Sequence, residues 1–196
     1  MKKGLFVVIE GPDGSGKTSQ CNLLKDYLGR RAMITKEPTK TSSVAEKIDR
    51  VLKKQEVVDA LELQRLFAID RGEHLAKVVR PEVSKGKIVI SDRYFFSSFA
   101  YGAMDCDLRK IMEFNGEFET PDLTIILMIT PEMCIERLKG RGGMKFEFFE
   151  EIGKLGKVIE NYKAIAPKFQ NVHFVNGDRS ILEVHKDIVK LLAGRL

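Results

Sequence analysis

The chain of 196 residues is poor in cysteine: Cys21, Cys106 and Cys134 lie far apart and show no C-x-x-C spacing. So sparse and odd a set argues against a disulfide framework and a zinc site, and for reduced thiols in a cytoplasmic protein. Long apolar runs are missing near the N-terminus as well. The first, residues 5–9, stops after five residues at Glu10. Although Lys2-Lys3 precedes it, it is too short for a signal peptide or membrane span and reads as a first strand. Blocks of basic residues are also lacking. Lys+Arg number 33 against 28 Asp+Glu, a formal +5, but the positive residues are scattered and aromatics are not interleaved with them. This argues against a nucleic-acid partner and for a cleft that holds polyphosphate. Repeats, low-complexity tracts and linkers are absent too. At 43% hydrophobic and 31% charged, residues 1–196 are expected to form a single domain with at most a small lid.

What is present is most specific at residues 11–18. Gly11-Pro12-Asp13-Gly14-Ser15-Gly16-Lys17-Thr18 matches in full the phosphate-binding pattern G-x-x-x-x-G-K-[ST]. An apolar, β-branched run precedes it and a helical pattern follows, as the chemistry demands. The glycines let the backbone turn so that successive N–H groups converge on phosphate oxygens. The helix N-terminus adds partial positive charge, Lys17 a full one, and the Thr18 hydroxyl suits Mg²⁺. All eight residues, Gly11, Pro12, Asp13, Gly14, Ser15, Gly16, Lys17 and Thr18, are therefore candidate ATP-binding positions.

Periodicity along the chain alternates strand and helix. Residues 18–28 place Cys21, Leu24 and Leu28 on one helical face, residues 32–35 read as a strand, and residues 44–52 as a helix. A long helix is expected over 57–79, stopped at Pro81. Residues 88–91, 123–129 and 173–175 are further strands, Pro131 opens a helix, and Ile181, Val184, Ile188, Leu191 and Leu192 make the last helix amphipathic. Strands that are apolar throughout and joined by helices imply a parallel sheet covered on both faces.

A phosphate loop alone leaves the reaction open. The N-K-x-D of GTPases is absent, and the run that narrows the choice is Ser91-Asp92-Arg93-Tyr94 after the third strand. Strand carboxyl ends line the ligand crevice of an open parallel sheet. Asp92 there suits Mg²⁺ or a bound water, and the Arg93 fork suits a second phosphate.

Further motifs make the chain resemble the thymidylate kinases, P-loop nucleoside monophosphate kinases. They are Ile9-Glu10 leading into the loop, Lys36-Glu37-Pro38, Leu66-Phe67-Ala68-Ile69-Asp70-Arg71, Ser97-Ser98-Phe99-Ala100-Tyr101, Pro121-Asp122-Leu123-Thr124, the segment from Arg137 to Arg141, and Ile181-Leu182-Glu183-Val184-His185. The resemblance implies a three-layer α/β/α fold with a five-stranded parallel sheet of order 2-3-1-4-5, helices around it, and a short lid at about 137–148. It implies transfer of the γ-phosphoryl group of ATP to dTMP, giving dTDP and ADP for dTTP biosynthesis, with Mg²⁺ held at Thr18 and Asp92 and usually a homodimer.

The resemblance also assigns roles on the acceptor side. Phe67 stacks on thymine and Arg71 bonds the base, Ser98 reaches the base edge, and Tyr101 packs against the sugar where it disfavours a 2′-hydroxyl. Glu37 and Pro38 border the acceptor, and Arg93 takes its phosphate. Asp13 lies near the acceptor's 3′-hydroxyl and 5′-phosphate. Core packing is the competing reading of Phe67, and turn stabilisation that of Asp13.

Phosphoryl transfer needs alignment and neutralisation of charge on the migrating group. No arginine stands at positions 12–15, so that charge is expected from the lid, from Arg141 or Arg137, with Lys145 a third candidate. The family's Glu-Pro-Gly-Gly-Thr is Glu37-Pro38-Thr39-Lys40-Thr41 here, and Gly102 stands after Tyr101 where relatives often have Gln. Asn176-Gly177-Asp178-Arg179-Ser180 matches the loop that borders the adenine. Two other readings stay open: a kinase for another pyrimidine nucleotide or a deoxynucleoside, and a nucleotide-binding regulator without turnover.

Overall fold

The computed structural model of the protein describes residues 3–140 and 148–196. In chain order the elements are β1 (Leu5–Glu10), α1 (Lys17–Leu28), β2 (Ala32–Lys36), α2 (Ala45–Leu52), α3 (Ala60–His74), α4 (Arg80–Ser84), β3 (Ile88–Asp92), α5 (Phe95–Gly102), α6 (Leu108–Asn115), β4 (Leu123–Met128), α7 (Pro131–Lys139), α8 (Phe148–Ile165), β5 (Val172–Asn176) and α9 (Ile181–Ala193). The strands are all parallel in the order β2-β3-β1-β4-β5, which is the expected 2-3-1-4-5.

Strand pleating decides which helices cover which face. Side chains alternate along a strand, so Leu5, Val7 and Ile9 of β1 point one way, into a cluster with Cys21 and Leu24 of α1 and Val184, Ile188 and Leu192 of α9. Phe6 and Val8 point the other way, against Leu75, Val79, the aromatic residues of α5, Ile111 of α6, and Val158 and Tyr162 of α8. Every residue of β1 is buried, so the strand reads as a continuous apolar run that ends in one acid. Cys21 and Cys134 pack inside as free thiols. Burial pushes both up, Cys134 to about 12. Among the described residues no helix is long and apolar enough to cross a membrane.

One expectation needs correction. The helix read over 57–79 begins at Ala60, where the Asp59 side chain accepts the Glu62 N–H as its cap, and Val57 lies outside it, exposed. Nor does it stop before Pro81. It passes through a π-helical turn, Leu75–Val79, into α4. Within that turn Arg80 N–H donates to Leu75 O, five residues back, and the widened ladder lets the proline enter the first turn of α4. The helices α5, α6 and α8 are not singled out by periodicity. The helices α1, α2 and α9 start and end within a residue or two of their expected limits.

Candidate active site

The carboxyl ends of β1, β3 and β2 converge on one crevice. At β1 the chain leaves Glu10 and turns through the phosphate loop, with φ of 140° at Gly11, 85° at Gly14 and 95° at Gly16. These are left-handed or related conformations that favour glycine. Close approach adds a second requirement at Gly14, where a Cβ would lie 2.5 Å from Cys134 O on α7. Lys17 is buried, and its Nζ donates to Gly11 O at 2.9 Å and Pro12 O at 2.8 Å, so the ammonium itself ties the loop together. Burial, then the nearby charge of Arg93, pushes its pKa down to about 8 against the opposing pull of Asp13, Asp92 and Glu10.

At β3 the strand ends at Asp92. Thr18 Oγ1 donates to Asp92 Oδ2 at 2.5 Å, while Asp92 Oδ1 is buried without a partner. A hydroxyl and a carboxylate side by side, with one oxygen orphaned, are a donor set that fits a hard cation such as Mg²⁺.

Arg93 follows with φ of 81°, an uncommon conformation for a side chain of this size. The turn is held from both ends: Arg93 N–H donates to Ile9 O at 3.0 Å, and its carbonyl accepts from Ser91 Oγ at 2.7 Å. The guanidinium is thereby aimed across the crevice. It donates to Ser97 Oγ at 2.8 Å and to Asp13 Oδ1 at 2.5 Å, and its Cζ lies 5.4 Å from the centre of the Tyr101 ring. Asp13 accepts in turn from Tyr101 OH, which itself accepts from Asp13 N–H at 2.9 Å. Desolvation raises the Asp13 pKa, but the charges of Arg93 and Lys17 outweigh it and hold the carboxyl below its usual value.

Beneath this pair sits Glu10, fully buried. Its carboxylate accepts from Tyr94 N–H at 2.8 Å, Ser97 N–H at 3.0 Å, Ser97 Oγ at 2.6 Å and Tyr162 OH at 3.0 Å. Burial raises its pKa in spite of these donors. Through Ser97 it steadies Arg93, and through Tyr162 it ties α8 to the base of the loop.

Beyond Arg93 opens a cavity of about 420 Å³ between α3 and α5. Asp13, Glu37, Pro38, Phe67, Arg71, Arg93, Ser98 and Tyr101, all expected around the acceptor, line it together. Phe67 is half-buried and belongs to none of the apolar core clusters, so its ring faces the cavity and is not used to fill the interior. Arg71 is 3% exposed and held from three sides: Nε donates to Glu37 Oε2 at 2.8 Å, Nη1 to Asn115 Oδ1, and Nη2 to Ser98 Oγ at 3.4 Å. Its Cζ also lies 5.3 Å from the centre of the Tyr94 ring. Glu37 is itself buried, with Oε1 3.0 Å from His74 Nδ1. It therefore braces Arg71 and also walls the cavity. Pro38 follows it through a cis peptide bond.

A second cavity, of about 430 Å³, lies on the other side of the loop, between Gly14, Ser15 and Gly16 and the segment holding Gly177 and Arg179. The segment expected beside the adenine is thus brought next to the phosphate loop. Arg137, in the last turn of α7, lines the same cavity and donates to Gly177 O at 3.0 Å. Arg141 and Lys145 lie outside the described residues, as does most of the expected lid.

Several site residues escape sequence reading. Glu10, Asp70 and Ser97 stand inside quoted motifs, yet only the fold shows Asp70 accepting from Thr39 N–H and Oγ1, at 2.8 and 2.5 Å. His74, Asn115 and Tyr162 carry no local signal; they meet the site through three separate helices.

Fold and site define a P-loop phosphotransferase with one cavity on each side of the phosphate loop. The sequence model of the thymidylate kinase family matches residues 9–188, and the chain belongs to that family. It is 40% identical to a probable thymidylate kinase of Pyrococcus abyssi, over 99% of this chain and 98% of the relative. It is 34% identical to the thymidylate kinase of Desulfotalea psychrophila, over 95% and 93%. Among solved structures it is similar to thymidylate kinase from Ehrlichia chaffeensis, with a TM-score of 0.77 and 28% identity, covering 96% of this chain and 98% of that one.

Proposed function

We infer that the protein transfers the γ-phosphoryl group of ATP to dTMP, giving dTDP and ADP. The observation that carries this reading is the acceptor cavity, where an aromatic ring free of the core and a rigidly braced arginine lie on one face of α3. A flat ring above a base contributes about 1–3 kcal/mol. The Arg71 fork offers only donors, which suits a carbonyl on the base edge.

On the donor side, the loop N–H groups and Lys17 cradle the ATP phosphates. Thr18 and Asp92 would hold Mg²⁺, which when bound neutralises phosphate charge. Arg93, drawn across the crevice, takes the acceptor's phosphate, and Asp13 keeps the guanidinium turned toward it. Arg141, with Arg137 as the other candidate, supplies the remaining positive charge as the lid closes over ATP. We further propose a homodimer in the cytoplasm, on the family resemblance.

A coupled ADP-release assay across dTMP, dUMP, dCMP, AMP and thymidine tests the reading, with dTMP expected to give the highest kcat/KM. Phosphorylation of thymidine without dTMP turnover would make it a nucleoside kinase, and no ADP release with any acceptor would make it a regulator. Phe67→Ala should raise the KM for dTMP about tenfold or more, through lost stacking, and leave the KM for ATP unchanged. Unchanged acceptor affinity in the folded variant would return Phe67 to a packing role.

A further inference from the structure

We propose that Gln64 is a base-recognition residue of this chain, its side-chain carbonyl accepting the imide N–H of the pyrimidine; the proposal rests on the cavity between α3 and α5 being the dTMP site. Gln64 lies on α3 three residues before Phe67 and seven before Arg71, hence on the same helical face, and it lines the same cavity. It is only 6% exposed, and its Oε1 has no hydrogen-bond partner. A buried amide oxygen left unpaired is uncommon and calls for a donor.

The other buried side-chain acceptors around the cavity are engaged, and Asp105, which also lines it, is exposed. Both oxygens of Glu37 are taken by Arg71 and His74, both oxygens of Asp70 by Thr39, and Ser98 Oγ faces Arg71 Nη2. Arg71 itself brings only donors. A thymine or uracil edge presents a carbonyl oxygen next to an N–H, so Arg71 satisfies half of that edge and an acceptor is needed for the other half. Gln64 Oε1 is a free acceptor on the correct helical face. The last torsion of a glutamine is broad, so the amide turns its oxygen to the cavity at little cost.

Space at Gly102 supports the assignment. A Cβ there would lie 2.7 Å from Gln64 Cδ and 2.9 Å from its Nε2. The backbone of Gly102 is ordinary helix, so a side chain there would be opposed by room and not by conformation: it would displace the Gln64 amide and Ile111 Cδ1, 2.8 Å away. The glycine on α5 thus leaves room for an amide to reach the pocket from α3.

The test is steady-state kinetics on wild type, Gln64→Met and Gln64→Ala with dTMP, dUMP and dCMP, and thermal melting to establish folding. The methionine keeps the length without the acceptor, and the alanine truncates into an existing cavity, so one variant should remain folded if the other does not. Both should raise the KM for dTMP and dUMP about tenfold with kcat changed less than twofold, the pattern of lost uniform binding. The KM for ATP should stay put, and the preference for dTMP over dCMP should drop by a similar factor, because a cytosine edge has no N–H at that position. Folded variants that keep the dTMP KM and the dTMP-to-dCMP ratio within twofold of wild type would make Gln64 a packing residue and overturn the proposal. Wild-type protein inactive on all three nucleotides would instead overturn the acceptor-site reading beneath it.

Discussion

Lys17 shows how one side chain serves two states of the site. Its donors go to the carbonyls of Gly11 and Pro12, and burial holds its pKa at about 8, so its charge is in balance near pH 8. Bound phosphate favours the ammonium, which returns the pKa toward its ordinary value. The sign follows: above pH 8 the free protein has lost the proton and the complex has kept it, so ATP binding takes up a proton. The kcat/KM for ATP should therefore fall as pH rises through about 8, while kcat, read from the complex, stays flat there. Calorimetry in buffers of different ionisation enthalpy should register proton uptake at pH 9 and little at pH 6.5. Equal proton exchange at the two pH values would show that Lys17 titrates normally. Lys17→Met should cut kcat about 10²-fold or more. It should also destabilise the fold, by about 1 kcal/mol for each loop carbonyl left unpaired.

At the scale of elements, the phosphate loop depends on α7. The loop turns at Gly14 with φ of 85°, and the carbonyl of Cys134 closes off the space where a side chain would project. Gly14→Ala meets both obstacles. The strained backbone alone costs on the order of 1–3 kcal/mol, and relief of the clash requires loop and helix to part. Expected outcomes are a melting temperature lower by several degrees and a raised KM for ATP, with the KM for dTMP little changed. Wild-type melting and ATP affinity would mean that loop and helix are less closely packed than the 2.5 Å approach implies. The element scale also explains what periodicity missed. α5 reads Phe95-Phe96-Ser97-Ser98-Phe99-Ala100-Tyr101-Gly102 and is buried nearly all round, so it shows no polar face to set a period. Its rings pack with Phe169 at centroid distances of 4.9–5.9 Å, a partner far along the chain. α8 is interrupted by Gly153 and Gly156. The π-helical turn at Leu75–Val79 is the converse case, where a rule about Pro81 gave way to a widened ladder.

For the whole molecule, the proposed transfer calls for charge delivered to the migrating phosphoryl group from outside the phosphate loop. Arg137 is anchored beside the donor cavity through Gly177 O. Its loss should raise the KM for ATP; loss of Arg141 should lower kcat more than it raises that KM, as expected for a contact made in the transition state. Arg141→Lys should recover only part of the activity, since an ammonium keeps the charge without the planar fork. If the double alanine variant keeps kcat within about threefold, well under 1 kcal/mol of barrier, the lid serves only as a cover. Lys145 is then the residue to replace next.

The parts of this protein that the sequence by itself determined are those whose physics is local or repetitive. Eight consecutive positions of a loop, an apolar run ahead of it and a helical period behind it define a phosphate site, because the backbone N–H groups that do the binding belong to one short segment. Strand after helix after strand likewise dictates a parallel sheet. Tertiary structure alone decided how the acceptor wall is braced. Arg71 is fixed by Glu37 from β2's exit, Ser98 from α5 and Asn115 from α6, while Arg93 answers to Asp13, Ser97 and, through Ser97, Glu10. Apart from Ser97, four residues after Arg93, these groups are separated from the arginines by tens of residues, and no local pattern says which of them pair. Their pairing follows from burial: a charge or amide taken out of water must find its partners among whatever the packed core brings within about 3 Å. That choice is made only when the sheet and its helices close around it.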